Sequence, residues 1–330
     1  MGTYRAHDGP ITGVDTYCSP RGMAFVVTSG KDMLTTTWAV DEKGHLTPRF
    51  TCGGHTDAVD SVAALSDGSL VASGSWDTTI CLWRGGELGL TAAQESEERK
   101  DDEDDEAEEE DEDDGAKKKR ARNGDAGKKK SITSKDNASR TTSSPPSCRE
   151  PVVRLDKSGH CHTQCVSALV WADPARTLVS GSWDHSCRLW DVEQGVCTET
   201  LNGSKSIFCV DVSPDSRHVV IGGADKAWRL WDPRTRNADG TIALKAFHSH
   251  KAWIESIRFL EGSAYHLVTA SHDGAVKVWD LRATIPLVTL SAHDDKALCA
   301  AWIGKGGLVA SGGADCQLAL HNIALPKVIL

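Results

Sequence analysis

Tyrosine and phenylalanine are scarce in this chain, with three Tyr and five Phe in 330 residues against eleven Trp. No apolar run reaches the 18 or more residues of a membrane-spanning helix, so no membrane segment is expected. The opening MGTYRAHDG has no apolar h-region of the secretory type, and Ala6 stands where a myristoylation motif wants Ser or Thr. There is no glycine-rich phosphate loop and no isolated catalytic set. No catalytic residue, cofactor site or enzyme class is therefore assigned. The eleven Cys lack paired spacing and sit mostly in alternating apolar segments, as Cys81, Cys187, Cys209 and Cys299 do. That pattern suits buried free thiols in a reducing compartment rather than a disulfide framework. CHTQC at 161–165 has no second ligand pair at metal spacing, so no metal is expected. With a net charge of −10, any RNA contact would have to be local.

What the chain has is a repeat. An Asp is followed six residues later by an aromatic or imidazole ring in Asp32/Trp38, Asp77/Trp83, Asp184/Trp190, Asp225/Trp231, Asp273/Trp279 and Asp315/His321. The Asp positions step by 45, 107, 41, 48 and 42 residues, and all but the second step fit the roughly 40–45-residue period of WD40 repeats. Within each unit, short apolar runs alternate and are bounded by Gly, Asp and Ser, which reads as strands. The predicted fold is all-β: a WD40 β-propeller with six recognisable blades of four antiparallel strands.

The polar residues of the repeat are spaced to meet inside one blade. The sets are His7/Thr28/Asp32/Trp38, His55/Ser73/Asp77/Trp83, His162/Ser180/Asp184/Trp190 and His250/Thr269/Asp273/Trp279. A Ser/His/Asp set suggests catalysis, but a catalytic triad is needed once and this set recurs from blade to blade. The structural reading is preferred, because a buried indole N–H and imidazole need partners. In the fourth repeat Gly203 and Ile221 replace the His and Ser; in the sixth His321 replaces Trp. Both blades are expected to be looser.

The long step contains an insertion. Residues 1–84 hold the first two repeats, 85–150 lose the alternation, and 151–330 resume the same propeller. Glu95 to Asp114 holds 16 acids and two bases, followed by the basic residues Lys117, Lys118, Lys119, Arg120, Arg122, Lys128, Lys129 and Lys130. The segment is expected to be a disordered acidic-then-basic loop on the rim, with the basic block serving as a nuclear localisation signal.

The residue before each turn Asp, and those three and five after each His position, should surround the central channel. Lys31, Asp60, Trp76, Trp183, Phe208, Trp253, Glu255, His272 and Lys296 are the candidate protein-binding face, an apolar centre with a charged rim.

The motifs SGSWDTTICLW, SGSWDHSCRLWDVEQG, LWDPRTR, VKVWDLR and AHDDKALCAAW, with the acidic-then-basic insertion between the first two, resemble the family of WD-repeat-containing protein 12, the Ytm-type ribosome-biogenesis factors. The resemblance covers nearly the whole chain. It implies a non-enzymatic scaffold in the PeBoW complex with Pescadillo and the Bop/Erb-type WD40 protein, acting on pre-60S particles in maturation of 25S/28S and 5.8S rRNA. The implied locations are nucleus, nucleolus and nucleoplasm. Family members also carry a seventh blade and an N-terminal ubiquitin-like domain that docks on midasin. Neither is found in these residues, so midasin docking is not carried over, and six blades built for seven-fold packing must tilt or leave a wedge open. The competing reading is a substrate receptor of a cullin-type ubiquitin ligase, from WDxR at Trp231–Arg234 and Trp279–Arg282.

Overall fold

The computed structural model describes residues 4–41, 43–85, 147–155, 161–172, 177–238, 242–304 and 307–324. The nuclear-localisation candidates Lys117–Arg122 and Lys128–Lys130 lie outside them, as does nearly all of the acidic-then-basic insertion.

Each repeat folds into one antiparallel sheet, strands running in chain order from the channel outward. Blade 1 is β1 (Ile11–Cys18), β2 (Ala24–Gly30), β3 (Leu34–Val40) and β4 (Leu46–Gly53). Blade 2 is β5 (Val59–Ala64), β6 (Leu70–Ser75), β7 (Ile80–Arg84) and, after the insertion, β9 (Val153–Leu155). Blades 3, 4 and 5 are β10–β13 (166–202), β14–β17 (207–248) and β18–β21 (254–291); blade 6 is β22 (Ala297–Ile303), β23 (Leu308–Gly313) and β24 (Leu318–Asn322).

One strand falls where a loop is expected. Ser147–Arg149 forms β8, which pairs in parallel with β4 and gives blade 1 a fifth strand. The boundary at 150 is thus corrected by a few residues. An outer strand leaves a row of N–H and C=O groups unpaired, and a returning chain can satisfy them. Three residues are too few for alternation to betray such a strand in the sequence. Arg149 lies over the Phe50 ring, 3.8 Å from its centroid.

The core sits between blades. Five apolar clusters fill five seams. Tyr17, Phe25 and Phe50 meet Val62 and Trp83 between blades 1 and 2. Leu82 and Leu155 meet Leu169 and Trp190 between blades 2 and 3. Leu189 and Leu201 meet Val210 and Trp231 between blades 3 and 4. Trp228 and Phe247 meet Ile257 and Trp279 between blades 4 and 5. Val276 and Val278 meet Ala300 and Val309 between blades 5 and 6. Across the same seams, inner strands are tied by side-chain-to-backbone bonds. Thr12 donates to the Val59 carbonyl, Ser61 to Val166 (3.0 Å), Ser167 to Ile207 (2.6 Å), Cys209 to Ile254 (3.6 Å) and Ser256 to Ala300 (3.3 Å).

Among the described residues, no sixth cluster joins blade 6 to blade 1. Val59, Val166 and Ile254 are completely buried, yet Ile11 at the same place in β1 is 49% exposed. On the opposite flank, Leu82 and Val278 are completely buried while Leu320, their counterpart in β24, is 59% exposed. Identical positions differ only in whether a neighbouring blade covers them. Of the two outcomes expected for six blades, tilting or an open wedge, the described residues show the wedge.

Candidate protein-binding face

The face is built by one backbone device used six times. The N–H of the residue before each turn Asp donates to a carbonyl at the foot of the inner strand: Lys31 to Pro10, Trp76 to Ala58, Trp183 to Cys165, Ala224 to Ser206, His272 to Trp253 and Ala314 to Lys296, at 2.8–3.0 Å. The Asp then closes the turn by accepting the N–H two residues on, as Asp77 does from Thr79 and Asp184 from Ser186. The residue between takes a left-handed conformation, with φ of 68° at Met33, 72° at Thr78, 71° at His185 and 62° at Cys316, where blade 5 has Gly274. The turn thereby aims one side chain per blade at the channel mouth.

Behind these turns the buried networks hold each blade together. In blade 2, Trp83 Nε1 donates to Ser73 Oγ at 2.8 Å, His55 Nε2 lies 2.8 Å from the same oxygen, and His55 Nδ1 lies 2.9 Å from Asp77. In blade 3 the corresponding distances are 2.8, 2.7 and 2.9 Å for Trp190, Ser180, His162 and Asp184. In blade 5 they are 2.9, 2.8 and 3.1 Å for Trp279, Thr269, His250 and Asp273. Blade 1 repeats the set with His7, Thr28, Asp32 and Trp38. For a neutral ring this is one directional chain: indole N–H to hydroxyl oxygen, hydroxyl proton to Nε2, Nδ1–H to carboxylate. Burial holds His162 and His250 below the ordinary imidazole value, whereas for His55 burial is outweighed by the hydrogen bonds to Asp77 and Cys81, which raise it to about 9. Nothing in these sets opens onto a substrate space; the histidine side chains are fully buried.

The two divergent repeats differ from each other. In blade 6, His293 still bonds Asp315 (3.1 Å) and Ser311 (2.9 Å), while His321 Nε2 is buried without a partner. In blade 4 the set is gone: Trp231 Nε1 has no partner and Asp225 pairs with Arg229 instead. Blade 4 is nevertheless fully buried along β15 (Val219–Gly223). Trp228 stacks on Phe247 at 3.9 Å and meets the Trp279 edge at 5.2 Å, so aromatic packing replaces the missing polar network.

At the channel mouth the aromatic residues of the candidate face come together. Trp76 and Trp183 have ring centroids 4.9 Å apart, Trp183 and Phe208 6.0 Å, Phe208 and Trp253 5.6 Å, and Trp253 and His272 5.6 Å. The result is a continuous arc over blades 2 to 5. Trp253 is 49% and Trp76 42% exposed, so large indole surfaces face water. The two carboxylates lie just inside. Burial raises Asp60 above the ordinary carboxylate value, with partial relief from hydrogen bonds to Trp76 and Cys165 and from the charge of Lys31. Burial likewise raises Glu255; His272, 3.2 Å away, and Lys296 offset part of it, while Asp60 adds repulsion. The channel beneath has a volume of about 800 Å³.

Three charged residues of the inner strands, of which Arg258 lines the channel, are not evident from the repeat spacing. Arg258 donates to the Val210 carbonyl at 3.3 Å. Asp15 and Asp211 each accept a backbone N–H from the next blade, from Ala64 and Phe259, at 2.7 Å. The signal of the two aspartates is their place four residues after Ile11 and Ile207, legible only once the inner strands of successive blades are known to meet. The arginines of the WDxR pairs are engaged locally: Arg234 grips Asp232 at 2.9 and 2.8 Å, and Arg282 grips Asp280 at 2.9 and 2.7 Å. Among the described residues, no cluster of His, Cys, Asp and Glu is placed to hold a metal.

Comparison with known proteins agrees with this architecture. The WD40 family, described as WD domain, G-beta repeat, matches residues 46–84, 152–191, 195–232, 241–280 and 284–322. Similar curated proteins include the ribosome biogenesis protein WDR12 homolog of Chlamydomonas reinhardtii, 34% identical over 96% of this chain and 65% of the relative. The Nematostella vectensis homolog is 32% identical over 96% of the chain and 67% of the relative, and that of Oryza sativa subsp. japonica 37% over 82% and 52%. The chain thus spans between about half and two-thirds of the length of these relatives. In its repeats and in these similarities, the chain belongs to the WD40-repeat family, in the group of ribosome biogenesis proteins homologous to WDR12.

Proposed function

We propose that the chain is a non-enzymatic scaffold of large ribosomal subunit biogenesis that docks other assembly factors on the aromatic face of its propeller. The observation that carries the docking part is the arc from Trp76 to His272. Exposed indoles beside a charged rim have the make-up of interface anchors. The assembly part rests on the relatives, each named a ribosome biogenesis protein. The finer reading is membership of the PeBoW complex, with the Bop/Erb-type WD40 protein and Pescadillo as partners and the nucleolus and nucleoplasm as the place of action. At each WDxR the arginine pairs with the aspartate of its own motif, and none of these relatives is named a ubiquitin-ligase receptor, so the assembly reading is preferred to the ubiquitin-ligase one. Purification of the tagged chain followed by mass spectrometry tests the proposal. Large-subunit assembly factors, with Pescadillo and the Bop/Erb-type protein among them, are expected to be enriched. Enrichment of cullin adaptors without them would overturn it.

A further inference from the structure

We propose that the channel mouth is a receptor for an arginine side chain presented by the docked protein. The proposal rests on the reading of this face as a docking surface and adds the chemistry that the surface recognises. Three features of the site converge on a guanidinium. The first is the aromatic wall, in which the rings of Trp76 and Trp253 leave indole surface open to water, and indole is the strongest side-chain partner for a cation over its face. The second is the pair Asp60 and Glu255, on blades 2 and 5, which both line the channel. Both carboxylates are drawn out of water, and the charge of Asp60 opposes ionisation of Glu255. The third is the balance of local cations. Lys31 and Lys296 are exposed rim residues, and their charge only partly offsets the burial of the acids; Arg258, on the same channel wall, acts on Asp15 and Asp211 instead. A cation entering the channel is therefore favoured by charge, and a flat one is favoured by the walls.

Among biological cations, the arginine side chain matches both demands. Its planar guanidinium stacks on an indole face while its edge donates a fork of N–H bonds to a carboxylate. A lysine ammonium meets the charge but has no plane to stack. The channel, at about 800 Å³, has ample room for such a side chain. An acidic or purely aliphatic anchor would leave Asp60 and Glu255 desolvated and unpaired, which penalises it.

The test uses the whole chain labelled with 15N and follows the indole N–H signals of Trp76 and Trp253, assigned with Trp→Phe variants. The probes are the blocked peptides acetyl-Gly-Arg-Gly-amide, its citrulline analogue and its lysine analogue. Citrulline keeps the shape of arginine and removes the charge. The arginine peptide is expected to shift both indoles saturably, with citrulline weaker by about tenfold or more, the loss of a charge-assisted pair. Lysine should fall between them. Glu255→Gln, nearly the same size and shape, should weaken arginine binding by a similar factor with a melting temperature no lower than that of the wild type; Asp60→Asn provides the second variant should the first fail to fold. Equal binding of arginine and citrulline, or indole signals that stay still with arginine, would overturn the proposal. Capture of assembly factors by Trp253→Ala separates the two readings. If capture is lost while the arginine peptide fails to bind, the docking face stands and the arginine receptor falls. If capture is retained and the peptide also fails, both fall.

Discussion

Replacing Trp83 and Trp231 separately by Phe isolates the worth of the blade network. Both indoles are buried to within 1% and both lie in seams packed from either side, Trp83 between blades 1 and 2 and Trp231 between blades 3 and 4. Each change removes the same atoms, so the transfer and cavity terms are similar at the two sites. The polar terms differ. Trp83→Phe deletes the 2.8 Å bond to Ser73 Oγ and breaks the chain that runs on to His55 and Asp77. That bond is worth about 0.5–1.5 kcal/mol net. Trp231→Phe deletes a buried N–H that has no partner, and relieving such a group offsets part of the packing loss. Trp83→Phe should therefore be costlier by about 1–2 kcal/mol. Urea unfolding followed by circular dichroism measures the difference, provided the slope m is the same in both variants. Equal midpoints, or a lower midpoint for Trp231→Phe, would refute the claim that the polar network stabilises the blades that have it.

The open seam predicts that Leu320→Ser changes stability by less than about 0.5 kcal/mol, as exposed substitutions do, while Leu82→Ala at the same place in blade 2 costs about 2–5 kcal/mol; comparable losses at the two sites would show that the ring is closed. His185→Gly should raise stability by about 0.5–1 kcal/mol, because the left-handed φ of 71° penalises a Cβ by more than glycine loses in entropy; a lower urea midpoint would contradict that. Asp60→Asn should raise the urea midpoint at pH 7 and lose that advantage as pH falls toward 4. Its carboxyl has a folded-state pKa above the unfolded value, so its ionisation in the fold costs stability only once pH rises through that interval. A gain that persists undiminished at pH 4 would show that charge is not its cause.

The six-residue step from Asp to the ring made the blades legible because that Asp closes a turn by its own side chain, a constraint that acts within a few residues. The same step located Trp76, Trp183 and His272, since the residue before the Asp is held by one backbone bond in every blade. What the repeat could not reveal depends on chain segments distant in sequence. Strand β8 exists because β4 offers an edge across roughly a hundred residues, and Ser147–Arg149 carries no alternation of its own. The tightness of blade 4 comes from Phe247 meeting Trp228, a stack that replaces the absent His and Ser and has no counterpart in the repeat. Arg258 and Asp211 acquire their roles only when successive inner strands meet around the channel.

The central claim is that the aromatic face docks assembly factors, and the most direct measurement is quantitative. Tagged wild-type chain and the double variant Trp76→Ala/Trp253→Ala are purified side by side, and the large-subunit assembly factors bound to each are counted by mass spectrometry. Both indoles are substantially exposed, so the variant should stay folded, with a small loss from the Trp76–Asp60 bond that its melting temperature reads out. The assembly factors should fall by about tenfold or more, the effect of losing hot-spot aromatics worth about 2 kcal/mol. Full retention of those factors by a normally folded double variant would contradict it.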